Sequence, residues 1–181
     1  IDISKKIWEH PEAALKEKFA CSIIKKKLEN EGFKIINQVN GLETSFIGTW
    51  GTGKPFIGIL GEYDALPGLS QKVKSVKESI EGVEAGHGCG HNLLGVGALA
   101  AAIVLKKYLE EEKINATIKY YGCPAEETLI GKVIMAKEGI FNDLDLAISW
   151  HPKQINTVRN SSSVALNSFK INYYGKANFI P

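Results

Sequence analysis

NLLGVGALAAAIVLKKYLEEEKINATIKYYG, residues 92–122, decides the fold. From Leu93 to Leu105 it carries no charge, and it closes on Lys106-Lys107 and Glu110 to Glu112, the pattern of a buried helix with a solvated end. Asn92 stands where an N-cap is expected. Gly95, Gly97, Ala98 and Ala100 to Ala102 give this helix a small-residue surface suited to close packing on a sheet. Ala116 to Gly122 then reads as a strand. Working backward, Phe56 to Leu60 reads as a buried strand after the turn Gly51-Thr52-Gly53, and Thr44 to Trp50 as an earlier β-rich stretch. Working forward, Ile130 to Glu138 reads as a helix and Leu144 to Trp150 as a strand. Strands alternating with helices predict the α/β class: a three-layer domain with a mostly parallel sheet flanked by helices.

Outside this frame, Ile3 to Glu31 has helical spacing, broken at His10-Pro11 because proline disfavours helix in the residue before it. Gly32 ends it. Pro67 to Gly90 has little apolar pattern, and a loop of that length in a compact domain is usually functional or disordered. Asn156 to Ser163 is polar and serine-rich, like a crossing between domains, and Phe169 to Tyr174 alternates like a fresh strand. The expected division is therefore 1–163 for the N-terminal part of a catalytic domain and 164–181 for the opening of a second, small α+β domain. A domain opened and not closed at Pro181, and a start at Ile1 without Met, lead us to expect a truncated chain.

A chain of 181 residues, 44% hydrophobic, is enough for one domain with a real core. The formal net charge of +2 argues against nucleic acid and acidic membrane surfaces as partners. Lysine clusters such as Lys25-Lys26-Lys27 lie beside Glu in helical patterns and read as solvated faces. The run Leu93 to Leu105 is too short for a membrane span. Three cysteines, Cys21, Cys89 and Cys123, are too few and too scattered for a disulfide framework, which favours a cytoplasmic setting.

The polar groups with chemistry fall where strands end. Asp64 follows one strand, Glu126 and Glu127 a second, His151 a third, while Cys89 and His91 precede the long helix. In a parallel α/β sheet the carboxyl ends of strands share one edge, where ligands bind. Within Gly86-His87-Gly88-Cys89-Gly90-His91-Asn92, alternate glycines let the backbone turn tightly around a bound group. A thiolate near a helix N-terminus has a lowered pKa, and Cys with His suits Zn²⁺, with Mn²⁺ or Ni²⁺ also admissible. Glu126 and Glu127, on extended backbone, would point to opposite sides, so one carboxylate binds metal while the other takes a proton from water. Each residue alone has a plainer reading: a glycine turn around an inert thiol, two solvated glutamates, an edge histidine, a turn aspartate. Their joint occurrence at strand ends is what makes a site. His87 lies beside it as a candidate substrate contact.

Gly61-Glu62-Tyr63-Asp64-Ala65-Leu66-Pro67-Gly68, the Cys89 segment, Pro124-Ala125-Glu126-Glu127 and Trp150-His151-Pro152 together resemble the M20 metallopeptidase family. Within it they are similar to the amidohydrolase branch that holds aminobenzoyl-glutamate hydrolases and N-acyl-amino-acid and dipeptide hydrolases. The resemblance implies a catalytic α/β domain interrupted by a smaller lid and dimerisation domain, hence a homo-oligomer. It implies two divalent ions (Zn or Mn) on Cys89, His91, Glu127 and His151. Glu126 would be the general base, acting on water activated by the two ions, and Asp64 would support a ligating histidine. The substrate would be a small amide: an N-acyl or aminobenzoyl amino acid, or a dipeptide. Many relatives carry His where this chain has Glu62. Auxin-conjugate hydrolases carry Asp where it has Asn92, which points toward the aminobenzoyl-glutamate side. Tyr174-Gly175-Lys176-Ala177 resembles the opening of the lid.

Two other readings compete. One is a thiol amidase with Cys89 as nucleophile and His91 as base, which leaves Glu126 and Glu127 idle. The other is a truncated, inactive fragment that binds metal weakly or only dimerises.

Overall fold

The computed structural model describes residues 1–39, 41–158, 162, 164–166 and 169–175. Helices α1 (Asp2–Glu9) and α2 (Lys18–Asn30) lead into strands β1 (Lys34–Val39), β2 (Leu42–Gly51) and β3 (Phe56–Glu62). Two-residue strands β4 (Leu66–Pro67) and β5 (Ala85–Gly86) pair across the long loop. Then come α3 (His91–Glu111), β6 (Thr117–Cys123), α4 (Gly131–Lys137) and β7 (Leu146–Ile148).

The main sheet has the order β1-β2-β6-β3-β7. Strands β3, β6 and β7 run parallel, while β1–β2 and β2–β6 are antiparallel. The α/β class stands, but the sheet is mixed rather than mostly parallel. Only residues 40–41 separate β1 from β2, and a connection that short forces an antiparallel pair, while β2 meets β6 antiparallel because β6 inserts between β2 and β3. Strand β1 escaped the sequence reading because KIINQV lies at the sheet edge and exposes Ile36.

Side chains alternate across each strand, so neighbours in sequence serve opposite layers. Phe46, Ile59, Ile118 and Tyr120 join Ile7 of α1, Ile24 and Leu28 of α2 and Leu99 of α3 in one core. Their neighbours Ile47, Leu60, Tyr121 and Cys123 meet Met135 of α4, with Phe141 and Leu144, in the other. Helices thus cover both faces, and the three layers are present. In α2 the buried Ala20, Cys21, Ile24 and Leu28 recur every three or four residues, the spacing that puts one helix face inward.

Helix α3 is long and apolar enough to cross a bilayer by length and composition, longer than the uncharged run alone suggested. It instead packs His91, Leu94, Ala98, Leu99 and Ala102 inward. Its glycines make that approach possible. A Cβ on Gly95 would lie 2.5 Å from the Glu62 carbonyl oxygen, and one on Gly97 would lie 2.5 Å from the Trp150 ring. Gly95→Ala therefore sets two effects against each other. Helix propensity gains about 1 kcal/mol, while forcing a methyl against backbone costs about 1–3 kcal/mol. Net destabilisation is expected, read as a lower denaturant midpoint; a raised midpoint would show that β3 yields freely.

Two expectations change. Asn92 is not the N-cap: Gly90 holds that position in left-handed conformation, and Asn92 lies inside the first turn. There its buried amide donates to the Ser4 hydroxyl, tying α1 to α3. Phe169 to Tyr174 forms no strand, and Phe169, Tyr173 and Tyr174 are exposed, so nothing buries the alternation the sequence suggested. Ser163, at the expected domain boundary, and Lys176 to Pro181, within the expected lid opening, lie outside the described residues.

Candidate metal centre

His91 is the hub of the cluster at the carboxyl ends of β3 and β6. It is fully buried at the start of α3. Its Nδ1–H donates to Asp64 Oδ1 at 2.9 Å. That bond leaves the Nε2 lone pair free, and Nε2 is buried with no hydrogen-bond partner. Burial opposes a charge on His91, but the hydrogen bond and charge of Asp64, then Glu62 and Glu127, outweigh it and hold its pKa up. Asp64 lies two residues past β3 and is buried; its second oxygen, Oδ2, accepts the Glu127 N–H at 2.9 Å. One carboxylate thus orients a histidine ring and the turn after β6.

His151 follows β7 after Trp150, whose indole N–H donates to the Leu94 carbonyl and docks this segment on α3. The His151 Nδ1–H donates to the Pro152 carbonyl at 3.0 Å, which leaves Nε2 to accept from the Cys89 thiol at 3.2 Å. Donor atoms of Cys89, His91 and His151 all lie within 4.8 Å of one another. The lowered thiol pKa expected from the helix N-terminus is not found. Burial, then Glu127, Glu126 and Glu62, push the Cys89 thiol up to about 11, because nearby carboxylates oppose a second negative charge more than one helix end favours it.

Glu126 and Glu127 are not on extended backbone as the sequence reading assumed; they occupy a turn between β6 and α4. Glu126 Oε2 is 3.6 Å from His91 Nε2, and Glu127 Oε1 is 3.8 Å from Nδ1. Glu127 Oε1 is buried without a partner, and its side chain is 16% exposed against 28% for Glu126. Distance to the free nitrogen singles out Glu126, whereas depth and an unsatisfied oxygen single out Glu127. A buried carboxylate oxygen without a partner is costly unless a cation or a donor meets it, which makes Glu127 a ligand candidate. Burial first, then Glu62, raises the Glu126 pKa.

Two members were not singled out from sequence. Glu62, the last residue of β3, has Oε2 3.3 Å from His91 Nε2 and completes a second ligand-type group with His91 and Glu126. Lys132 Nζ lies 2.5 Å from its other oxygen. The signals were there: Glu62 and Asp64 are two apart at a strand end, the spacing of same-side residues. Lys132 sits in the first turn of α4, where a helix dipole disfavours a cation unless an acid offsets it. His87 does not hydrogen-bond to the cluster. It lines a cavity of about 170 Å³ between α1 and the 67–88 loop, with Trp8, Leu69 and Ile80. Burial, then His91, push its pKa down to about 4, so its ring is neutral.

The donor set fits divalent metal. Cys89, His91 and His151 offer sulfur and nitrogen, the carboxylates offer oxygen, and two orphaned buried atoms, His91 Nε2 and Glu127 Oε1, lack partners. Four carboxylates (Glu62, Asp64, Glu126, Glu127) approach His91 within 4 Å, and Lys132 is bonded to one of them.

Comparison with known proteins agrees. The family model described as peptidase family M20/M25/M40 matches residues 58–172. Over 165 residues the chain is 44% identical to one of the subunits of p-aminobenzoyl-glutamate hydrolase from Escherichia coli, covering 91% of this chain and 34% of that protein. It is 32% identical to Xaa-Arg dipeptidase of Mus musculus, covering 97% of this chain and 39% of that protein. A Bacillus subtilis crystal structure described as a dinuclear metal binding peptidase from the M20 family superimposes with TM-score 0.71 at 25% identity, covering 84% of this chain and 42% of that one. The chain thus spans a little over a third of the length of the relatives it matches.

Proposed function

Because this chain belongs to peptidase family M20/M25/M40, we propose that it carries the metal centre of an amidohydrolase acting on N-acyl or aminobenzoyl amino acids or dipeptides. The observation that carries the reading is the pair of orphaned buried atoms, His91 Nε2 and Glu127 Oε1, in the cluster that gathers the Cys89, His91 and His151 donors. Cys89, His91, Glu127 and His151 would hold two divalent ions, zinc from the Cys and His donors or manganese from the carboxylates. Such a pair, when bound, supplies Lewis acidity that polarises an amide carbonyl and acidifies water.

The chain's own groups do the rest. Asp64 keeps the His91 proton on Nδ1 and so keeps Nε2 free to ligate. Glu126, the more exposed carboxylate, takes the proton of the attacking water and returns it to the departing amine nitrogen, so the amide C–N bond breaks to a carboxylate and an amine. In the same reading residues 1–163 form the catalytic part and 164–181 open the second domain through which subunits associate. His87 contacts substrate, and three free thiols suit a reducing, cytoplasmic setting.

One observation favours a second reading: the Cys89–His151 contact at 3.2 Å is a thiol–imidazole dyad by distance. It replaces the Cys89–His91 pair considered from sequence, since His91 is committed to Asp64. Metal removal separates the two. The purified protein should contain divalent metal by elemental analysis. Hydrolysis of p-aminobenzoyl-glutamate, an Xaa-Arg dipeptide or an N-acyl amino acid should disappear with a chelator and return with Zn²⁺ or Mn²⁺. Turnover that survives complete removal of metal but not thiol alkylation would reverse the choice.

A further inference from the structure

We propose that Glu17 is a positioning residue for the turn that bears Glu126 and Glu127. It acts by holding the Ala125 N–H from the far side of the catalytic cluster.

Glu17 is fully buried at the start of α2, and no cation touches it among the described residues. Oε1 accepts two backbone N–H groups, Leu15 at 2.9 Å and Ala125 at 2.8 Å. Oε2 accepts the Thr44 hydroxyl at 2.7 Å. A leucine would fill such a place without the cost of burying a carboxylate, so the three bonds need a reason. Ala125 supplies it. Its φ is +55°, a left-handed conformation that a non-glycine residue keeps only when its surroundings insist. Its carbonyl accepts the Thr128 hydroxyl at 3.1 Å, and its N–H is held by Glu17. Two residues on, the Glu127 N–H is held by Asp64. Glu126 is therefore bracketed by two backbone groups, each tied to a buried carboxylate.

The same N-terminal segment holds the other strand end. The Glu12 carbonyl accepts the Ala65 N–H at 2.8 Å, and Ala13 bridges Ala65. The Glu12 carboxylate accepts the Phe19 and Ala20 N–H groups at the start of α2, and the Thr44 carbonyl accepts the Tyr63 hydroxyl. Residues 12–17 thus clamp the ends of β3 and β6 together.

The test opposes two substitutions. Glu17→Asp keeps charge and loses reach; Glu17→Gln keeps reach and loses charge. Deuterium exchange with mass spectrometry should show faster exchange over residues 123–131 in Glu17→Asp, with α3 and β3 unchanged, and near-native exchange in Glu17→Gln. The kinetic arm rests on the metallohydrolase reading. There Glu17→Asp should lower kcat by about 10–100-fold with KM little changed, the scale on which a misplacement of about 1 Å acts, and Glu17→Gln should restore it. Faster exchange in Glu17→Gln instead, unchanged exchange in both, or exchange rising equally across α3 and β3 would overturn the proposal. If the unsubstituted protein hydrolyses nothing, the functional reading fails while the exchange arm still decides this one.

Discussion

Glu126→Gln should retain metal and lose about 10²–10⁴-fold in turnover, the contribution of a general base. Glu127→Gln should lose metal first and activity with it. The amide in Glu126→Gln keeps the shape of the side chain but cannot take a proton. Glu127 Oε1 is the buried oxygen without a partner, so an amide there meets a cation either with its NH₂ or with an uncharged oxygen, and both hold it less tightly. Titration calorimetry with Mn²⁺ or Zn²⁺ and steady-state rates at saturating metal separate the two. The contest is real, because Glu126 Oε2 is nearer to the free His91 nitrogen. A Glu126→Gln protein that no longer binds metal, beside a Glu127→Gln protein that binds it and turns over slowly, would exchange the two roles.

Asp64→Asn should weaken metal binding by about 10–100-fold, as loss of a group behind a metal-ligating histidine does. The two Asp64 oxygens accept from two donors, His91 Nδ1–H and Glu127 N–H. Asparagine offers one oxygen and one NH₂. If the NH₂ faces Glu127, two donors meet in a buried place, and the turn loses its anchor. If it faces His91, the ring moves its proton to Nε2, and the ligating lone pair is lost. Either arrangement leaves a buried group unsatisfied, so the metal-free protein should also lose about 1–3 kcal/mol of stability. Calorimetry and urea denaturation without metal measure the two effects. Native metal affinity in the variant would show that His91 is oriented by its second contact, the Asp64 carbonyl at 3.1 Å.

Both predictions turn on residues that could be named from sequence and on contacts that could not. Cys89, His91, Glu126, Glu127, His151 and Asp64 were legible because each follows a strand or precedes a helix whose periodicity is local. The structure brings all six together, with Glu62 and Lys132 beside them. The break at His10-Pro11 was legible too, since proline acts on its immediate neighbour. What the broken segment does was not, because the Glu17–Ala125 bond joins residues 108 apart.

By itself the sequence determined the core succession β2, β3, α3, β6, α4 and β7, the α/β class, and the polar residues at the strand ends. These depend on spacing of two or about 3.6 residues and on proline and glycine, all properties of neighbours. Tertiary structure decided the rest. Strand β6 lies between β2 and β3, so the sheet is mixed. The Cys89 thiol faces His151 across 62 residues, and Asp64 rather than any neighbour in sequence sets the His91 proton. The turn that bears Glu126 and Glu127 hangs between Glu17 and Asp64. Hydrogen-bond partners and local charge depend on which groups share a buried volume, and only packing the layers together specifies that.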